Sequence, residues 1–197
     1  MNNTKSREHL RALVESAILV GIGFVLSIIT LFRMPQGGSI TPLSMLPILL
    51  IGLRHGVKWG LGGGFIYACL QMLHQFHPPP DADVPALMAV ARYFSVVMLD
   101  YIAAFAVLGL SGLFRGKRFG MVVAAPLCLS LRFLCHFASG IVIWGVYAPE
   151  GTPVWIYSAI YNGSYMGLEI AFTTIAGAVL CLTAPIVFNY RPDAQQA

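Results

Sequence analysis

Long apolar stretches separated by short polar segments dominate the chain, and most charged residues lie in the polar segments. A helix needs about 20 apolar residues to cross roughly 30 Å of hydrocarbon. The pattern predicts six membrane-spanning helices, at about residues 10–31, 43–53, 57–73, 86–114, 121–147 and 155–188. The second is short for a span, and the sixth is so long that we expect its first part to lie in a loop or at the interface. The fold class is therefore all-α and polytopic, with residues 1–197 forming a single membrane domain.

The positions of lysine and arginine predict the orientation. With a cytoplasmic N-terminus and six helices, the outer segments hold only Arg33 and Arg92, and Arg132 lies inside helix five. The inner segments then hold nine cations: Lys5, Arg7, Arg11, Arg54, Lys58, Arg115, Lys117, Arg118 and Arg191. An excess of this kind marks cytoplasmic loops and arises here only with an even number of helices. Both termini are therefore predicted to be cytoplasmic.

The composition excludes several classes of protein. Hydrophobic residues make up 57% of the chain and charged residues 10%, whereas a soluble domain carries about 25% charged residues. A soluble enzyme, a coiled coil and a disordered chain are all excluded on this ground. The inner segments account for the net charge of +4, so no nucleic-acid partner is predicted. The four cysteines lie in apolar runs without a CxxC pair, which argues against a disulfide or metal framework. The first apolar run is too long for a cleavable signal peptide and lacks a small-residue cleavage site.

Glycines open the third helix, at Gly60, Gly62, Gly63 and Gly64. No Lys-Ser/Thr pair follows them, as a phosphate-binding loop would require. We therefore expect these glycines to allow close helix packing.

Ionisable side chains inside apolar helices are costly unless they are paired or functional. Four qualify here: Asp100, Arg132, His136 and Glu169. Two interpretations of Asp100 remain open, an ion pair with Arg132 and a counter-charge for a cationic ligand. Glu169 has two candidate partners, Arg132 and a partner subunit, and we assign it no role.

Helix five carries a stripe of unusual residues at four-residue spacing: Arg132, His136, Gly140 and Trp144. Such residues lie along one slowly drifting face of a helix. Gly140 is expected to leave room for a flat ligand against the ring of Trp144. Trp144 by itself also fits an aromatic belt at the membrane interface.

Polar and aromatic residues gather near the predicted outer end. Tyr101 adjoins Asp100, and Tyr157, Tyr161 and Asn162 lie at the start of helix six. Asn162 fits either a ligand contact or a helix cap. One carboxylate among aromatic rings and amide or hydroxyl groups suits a small, flat, cationic molecule. Nothing in the pattern indicates a metal ion or a cofactor.

Several of these segments resemble the thiamine-specific substrate-binding subunit of energy-coupling factor (ECF) transporters. The resemblance extends from about Leu13 to Pro185 and is most specific around helix five. Its motifs are Met34–Ser39, Met45–Ile48, Arg54–Gly60, Leu99–Ile102, Leu131–His136, Gly140, Trp144–Gly145, Tyr147–Trp155, Tyr157–Ser158 and Tyr161–Asn162. The family is made of six-helix membrane proteins that bind thiamine from outside, here at the bacterial plasma membrane. They work with a transmembrane scaffold subunit and two ATP-binding cassette ATPases.

The resemblance also assigns roles to residues. His136 and Trp144 match the rings that stack on thiamine, and Asp100 matches an acidic position that is Glu in some members. Tyr101, Tyr157 and Asn162 match its polar contacts. In helix one, Ala17 and Gly21 match a small-residue pair that docks on the scaffold. Some members carry a lid tryptophan in the first outer loop; this chain has none there, and Met34 or Gln36 is the candidate replacement.

The leading hypothesis is thus a thiamine-binding uptake subunit that is not an enzyme. A close alternative is the same scaffold binding a thiamine precursor or another vitamin. A different alternative is an intramembrane enzyme using Asp100, His136 or Ser139, although no GxSxG or HExxH motif supports it. A purely structural membrane subunit would leave the outer polar cluster unexplained.

Overall fold

The structure is a computed structural model that describes residues 2–41, 43–80 and 84–188, with side chains from residue 5 onward. Within these ranges it contains six helices and one short hairpin, which confirms the all-α class. The helices are α1 (Asn2–Ile28), α2 (Leu46–His55), α3 (Val57–His74), α4 (Ala86–Phe114), α5 (Gly120–Val142) and α6 (Val154–Thr183). Strands β1 (Phe32–Arg33) and β2 (Ser39–Ile40) pair antiparallel. The predicted inner cation Arg191 and both chain ends lie outside the described residues.

Four described helices are long and apolar enough to cross a membrane: α4, α5, α6 and the Lys5–Ile28 part of α1. Helix α2 is apolar but has only ten residues, which is about 15 Å at 1.5 Å per residue. The six-span count and the orientation of the termini therefore stay predictions. The upper end of the bundle is defined as the end where α1 and α3 finish and α4 and α6 begin; the opposite end is the lower end.

Helix α2 forms the centre of the core. Its residues Leu46 to Leu53 are all buried, and Ile48, Leu49 and Ile51 have no exposed surface. Thr41, which precedes α2 outside any helix, is buried and donates its backbone N–H to the carboxylate of Glu169 in the middle of α6. Irregular backbone at such depth is tolerated where protein groups satisfy its hydrogen bonds. A short α2 is thus compatible with a buried position.

Glycines bring α3 and α4 into contact. A Cβ at Gly60 would lie 2.6 Å from the carbonyl oxygen of Gly109, and a Cβ at Gly64 would lie within 3 Å of the Phe105 carbonyl oxygen. Both glycines are buried. The expectation of close packing is correct at these two positions and at Gly63, where a Cβ would lie 2.7 Å from Ile51 of α2, whereas Gly62 has nothing within 4 Å.

Three helices depart from the predicted pattern. In α4, residues Val97–Ala103 form a π-helical segment. Helix α5 was expected to reach Tyr147, but it ends at Val142, and a separate 3₁₀ turn covers Trp144–Tyr147. Helix α6 is continuous from Val154, so the expected loop at its start is wrong. Each of the first two departures positions a residue that lines a cavity at the upper end.

Candidate functional site

A cavity opens among the loops and helix ends of the upper end. Its empty space, open mouth included, is about 850 Å³. The structure brings all seven predicted binding residues to its wall, together with the candidate lid residue Gln36. They are Asp100, Tyr101, His136, Gly140, Trp144, Tyr157 and Asn162. Four elements that are separate along the chain supply these seven residues: α4, α5, the turn after α5, and α6.

Asp100 is the hydrogen-bond centre of the cavity. It lies in the π-helical segment of α4, a geometry that is frequent at functional sites. Its Oδ2 accepts hydrogen bonds from Ser139 Oγ at 2.6 Å and from the Trp144 indole N–H at 3.0 Å. His136 Nδ1 lies 3.0 Å from Oδ1. The carboxylate is thus compensated by three donors that all come from α5 or the turn after it.

Arg132 does not pair with Asp100, so the ion-pair interpretation of that aspartate is wrong. Arg132 is buried and donates from Nε to His136 Nε2 at 3.3 Å, while its guanidinium carbon lies 4.3 Å from the centre of the Phe105 ring. Because Nε2 accepts this bond, the proton of a neutral imidazole lies on Nδ1 and faces Asp100. A chain of hydrogen bonds therefore runs from Arg132 through His136 to Asp100.

Trp144 lines the cavity from the 3₁₀ turn that follows α5. On a continuous helix it would extend the stripe of His136 and Gly140; instead, the 3₁₀ turn holds its indole N–H between Asp100 and Ser139 Oγ, the latter at 3.1 Å. Its ring stacks on Tyr147 with an interplanar angle of 19° and centroids 6.3 Å apart. An aromatic belt does not explain this geometry, because the indole lines the cavity.

Gly140 has a different use from the expected one. A Cβ at this position would overlap Ser158 Oγ and lie 3.2 Å from Asn162 Nδ2. The missing side chain therefore admits α6 against α5, and the expected gap for a ligand is filled by Ser158. Ser158 in turn donates to the Phe137 carbonyl at 2.8 Å, which fixes the crossing of the two helices.

Asn162 lies inside α6, so its interpretation as a helix cap is wrong. Its amide nitrogen donates to the Ser158 carbonyl at 3.0 Å, and its amide oxygen accepts from the Tyr165 hydroxyl at 2.9 Å. The hydroxyl of Tyr101 is also engaged: it donates to the Gln75 carbonyl at 2.6 Å and accepts from the His77 N–H at 3.0 Å. Asn162 and Tyr101 both line the cavity, and hydrogen bonds within the protein already fix their positions.

The β1–β2 hairpin covers part of the cavity. The Tyr161 hydroxyl holds its tip, since it accepts from the Gln36 N–H at 2.8 Å and donates to the Gly37 carbonyl at 2.9 Å. Gly38 packs on Tyr165, whose ring would lie 2.7 Å from a Cβ at that position. Of the two candidate lid residues, Gln36 lines the cavity, whereas Met34 packs against the core.

Helix α6 contributes more to the site than its sequence pattern suggested. Tyr161, Tyr165 and Glu169 recur every four residues and hold the hairpin at its tip, its middle and its base. Glu169 is fully buried and pairs with Thr41, not with Arg132, among the described residues. The four-residue spacing of two tyrosines and a buried carboxylate is the signal that could have revealed this face. Other lining residues that sequence reasoning missed are Gln71, Gln75, His77, Phe105 and Ser158.

The predicted docking pair lies outside the site. Ala17 is exposed on α1, and a Cβ at Gly21 would have nothing within 4 Å. Exposed apolar side chains flank them, including Leu13, Ile18 and Val25. This face of α1 is therefore open to lipid or to another helix.

The cavity has the chemistry of a receptor for a flat, polar molecule. It combines the carboxylate of Asp100 with the rings of His136, Trp144 and Tyr157 and the amide of Asn162. Aromatic faces attract cations, and a carboxylate in partly dry surroundings favours a positive or amine-bearing ligand. No group of three His, Cys, Asp or Glu side chains able to hold a metal ion occurs among the residues that the structure describes.

Comparisons with known proteins give a consistent picture. A family model described as thiamine transporter protein (Thia_YuaJ) matches residues 13–189. The thiamine transporter ThiT of Bacillus subtilis is 37% identical over 204 residues, covering 94% of this chain and 96% of the relative. The thiamine transporter ThiT of Lacticaseibacillus paracasei is 26% identical over 201 residues and 93% of each chain. A solved structure of ThiT from Listeria monocytogenes matches with a TM-score of 0.71 at 23% identity, over 92% of this chain and 98% of that one.

Proposed function

The chain belongs to the Thia_YuaJ family of thiamine transporter proteins, and from this premise we propose that it captures thiamine in the upper cavity. It is a transport component of a bacterial membrane and not an enzyme. The observation that carries the proposal is the placement of Asp100 in a cavity walled by His136, Trp144 and Tyr157. Thiamine joins a thiazolium ring with a fixed positive charge to an aminopyrimidine, so it needs a counter-charge and flat surfaces.

Each cavity residue has a role in this proposal. The faces of Trp144 and His136 enclose one ring of thiamine, with stacking and cation–π attraction of about 0.5–2 kcal/mol for each good face. Asp100 supplies the counter-charge or accepts from the exocyclic amine. Three donors already contact Asp100, and because a carboxylate has about four acceptor sites, the ligand takes the remaining site or displaces one of these donors. Tyr157 and Asn162 orient the ligand.

Tyr101 and the hairpin shape the entrance. The Tyr101 hydroxyl holds the segment after α3 through Gln75 and His77. The hairpin tip packs on this segment, since a Cβ at Gly37 would lie 3.3 Å from the His77 ring, and it brings Gln36 to the cavity. We propose that this hairpin is the lid, with the Gln36 amide replacing part of the contact that a tryptophan supplies in other members of the family.

Uptake requires energy that this chain does not supply, because its sequence has no nucleotide-binding motif. We propose that it works with an ECF transmembrane scaffold and two ABC-type ATPases. The face of α1 around Ala17 and Gly21 is the proposed docking surface, since small exposed residues let another helix approach closely. Both termini are proposed to be cytoplasmic, which places the cavity at the outer surface.

Direct binding to the purified protein tests the proposal. Thiamine should quench the fluorescence of Trp144 and bind with a stoichiometry near one, without any chemical change of the ligand. The aminopyrimidine half alone, offered as a precursor, should bind more weakly because it lacks the thiazolium charge. Equal or tighter binding of this precursor would favour the alternative function, and conversion of the ligand to a product would contradict the assignment as a binding subunit.

A further inference from the structure

A second cavity lies at the lower end, separate from the proposed thiamine site. It is bounded by the start of α1, the turn between α2 and α3, and the loop after α4, and it encloses about 760 Å³ including its mouth. Six side chains dominate its wall: His9, Arg11, Arg54, His55, Trp59 and Arg115. We refer to it as the basic pocket.

A half-buried carboxylate, that of Glu15, organises the basic pocket. Glu15 Oε1 accepts from Arg11 Nε at 2.7 Å, and its Oε2 accepts from Arg54 at 2.8 and 3.0 Å. His55 Nε2 lies 2.9 Å from the same oxygen. The side chains of Arg54 and His55 are only 16% and 10% exposed, so they are held in fixed positions. The inner wall of the pocket is thus preformed by Arg54 and His55, whereas Arg11 and Arg115 line its exposed rim.

The charge of the basic pocket is positive. Three guanidinium groups line it, against the carboxylates of Glu8 on the wall and Glu15 behind it. Arg115 belongs to a loop that also carries Lys117 and Arg118. The Trp59 ring lies between His9 and His55, with centroids 6.2 and 6.5 Å away. Arginine clusters with a flanking indole are typical of sites that bind phosphate at a membrane surface.

We propose that the basic pocket binds the phosphate of an anionic phospholipid. The Lys/Arg distribution puts the lower end at the cytoplasmic surface, where the headgroups of anionic lipids attract clustered cations. Next to the pocket along the chain, Leu13 and Val14 of α1 are 56% and 48% exposed, and Leu113 at the end of α4 is 62% exposed. These apolar side chains offer contacts for acyl chains, which favours a lipid over a soluble phosphate. The proposal does not depend on thiamine binding.

Retention of lipid by the full-length protein tests this proposal. The wild type and Arg115→Gln are exposed to phosphatidylglycerol and, separately, to phosphatidylcholine in detergent, and bound lipid is counted by native mass spectrometry. The wild type should retain phosphatidylglycerol in preference to phosphatidylcholine. Arg115→Gln should retain about fivefold less phosphatidylglycerol than the wild type, as expected for the loss of one cation near a lipid surface. Arg118→Gln is the matched control, because Arg118 lies over the Phe119 ring and outside the pocket wall.

Other outcomes would overturn the proposal. Equal retention of the two lipids by the wild type contradicts an anion site, as does unchanged retention in Arg115→Gln. Binding of inorganic phosphate that displaces the lipid shows a site for soluble anions instead. Thiamine affinity, measured on the same samples, should stay unchanged in Arg115→Gln, which separates loss of the pocket from loss of the fold.

Discussion

At the scale of single residues, most polar groups of the upper cavity are already hydrogen-bonded to the protein. Asp100 has three donors, and Asn162 uses both its amide nitrogen and its amide oxygen. A carboxylate has about four acceptor sites, so a ligand gains affinity by adding a bond to Asp100 or by replacing an existing contact with a better one. The strongest new contact is a positive charge beside Asp100, because no lysine or arginine among the described residues forms an ion pair with it and the His136 imidazole contacts it as a neutral donor.

Loss of the counter-charge or of the stacking ring should weaken thiamine binding. Asp100→Asn and Trp144→Ala are each expected to raise Kd by at least about tenfold, or roughly 1.4 kcal/mol. Isothermal titration of the purified variants measures this. Trp155→Ala serves as a control, since Trp155 is 58% exposed and lies outside the cavity wall. Near-native affinity in both cavity variants would place the ligand elsewhere.

Glu169→Gln is a second control for these measurements. Its amide oxygen can still accept from the backbone N–H of Thr41, so we expect an affinity close to that of the wild type.

Gly140→Ala should disturb the crossing of α5 and α6. The added methyl group overlaps Ser158 Oγ, and overpacking of this kind costs about 1–3 kcal/mol. We expect a lower melting temperature and weaker thiamine binding, because Asn162 lies beside the same contact. The double variant Gly140→Ala, Ser158→Gly removes the overlapping atoms together with the Ser158–Phe137 hydrogen bond, so it should recover part of the lost stability and affinity. Wild-type behaviour of the single variant would show that the helices separate at little cost.

At the scale of elements, one face of α6 holds the hairpin, and irregular backbone in or after other helices carries Asp100 and Trp144, two of the proposed ligand-binding residues. The π-helical segment of α4 carries Asp100, and the end of α5 at Val142 frees Trp144. The hydrophobic pattern gives no sign of either departure, because both lie within continuous apolar sequence. Sequence reasoning therefore found the residues but predicted the wrong backbone for Trp144.

The tip of the hairpin is expected to control the release of thiamine. Tyr161→Phe removes the hydroxyl that bonds Gln36 and Gly37. Each such bond is worth about 0.5–1.5 kcal/mol, so the release rate should rise several-fold in stopped-flow fluorescence. Tyr147→Phe keeps the ring that stacks on Trp144 and should release thiamine at the wild-type rate. An unchanged release rate in Tyr161→Phe would mean that the hairpin does not limit escape.

At the scale of the whole molecule, composition and periodicity predicted the helices and the cluster of polar groups at one end. They did not predict which polar groups meet. Opposite charge makes Arg132 a possible partner for Asp100 in the sequence, but in the structure Arg132 packs on Phe105 and donates to His136. Helix rotation and the π-helical segment decide such pairings, and neither is encoded by local spacing. Thr41 and Glu169 form a hydrogen bond although they are 128 residues apart in the sequence, and a local sequence pattern cannot predict such a contact.

The orientation of the molecule is testable on intact cells. On a background without the native cysteines, single cysteines at Glu150 and at Lys117 should differ in labelling by a membrane-impermeant reagent. Glu150 follows the turn beside the cavity, and Lys117 lies in the loop at the lower end. Because lysine and arginine concentrate at the lower end, we expect labelling at Glu150 only. Labelling at Lys117 only would reverse the orientation.

Coupling to a partner is the last property that belongs to the whole molecule. Ala17 and Gly21 are exposed on a helix face with little side-chain volume, and they lie far along the chain from the cavity residues. Leucine at both positions should prevent close approach of a scaffold helix without touching the ligand site. We therefore expect Ala17→Leu, Gly21→Leu to bind thiamine with native affinity and to lose ATP-driven uptake in vesicles that contain the scaffold and ATPases. Ile18→Ala, a change on the neighbouring exposed face that removes bulk, should keep uptake. If the double variant loses thiamine binding while it still assembles, this face of α1 supports the cavity and is not the docking surface.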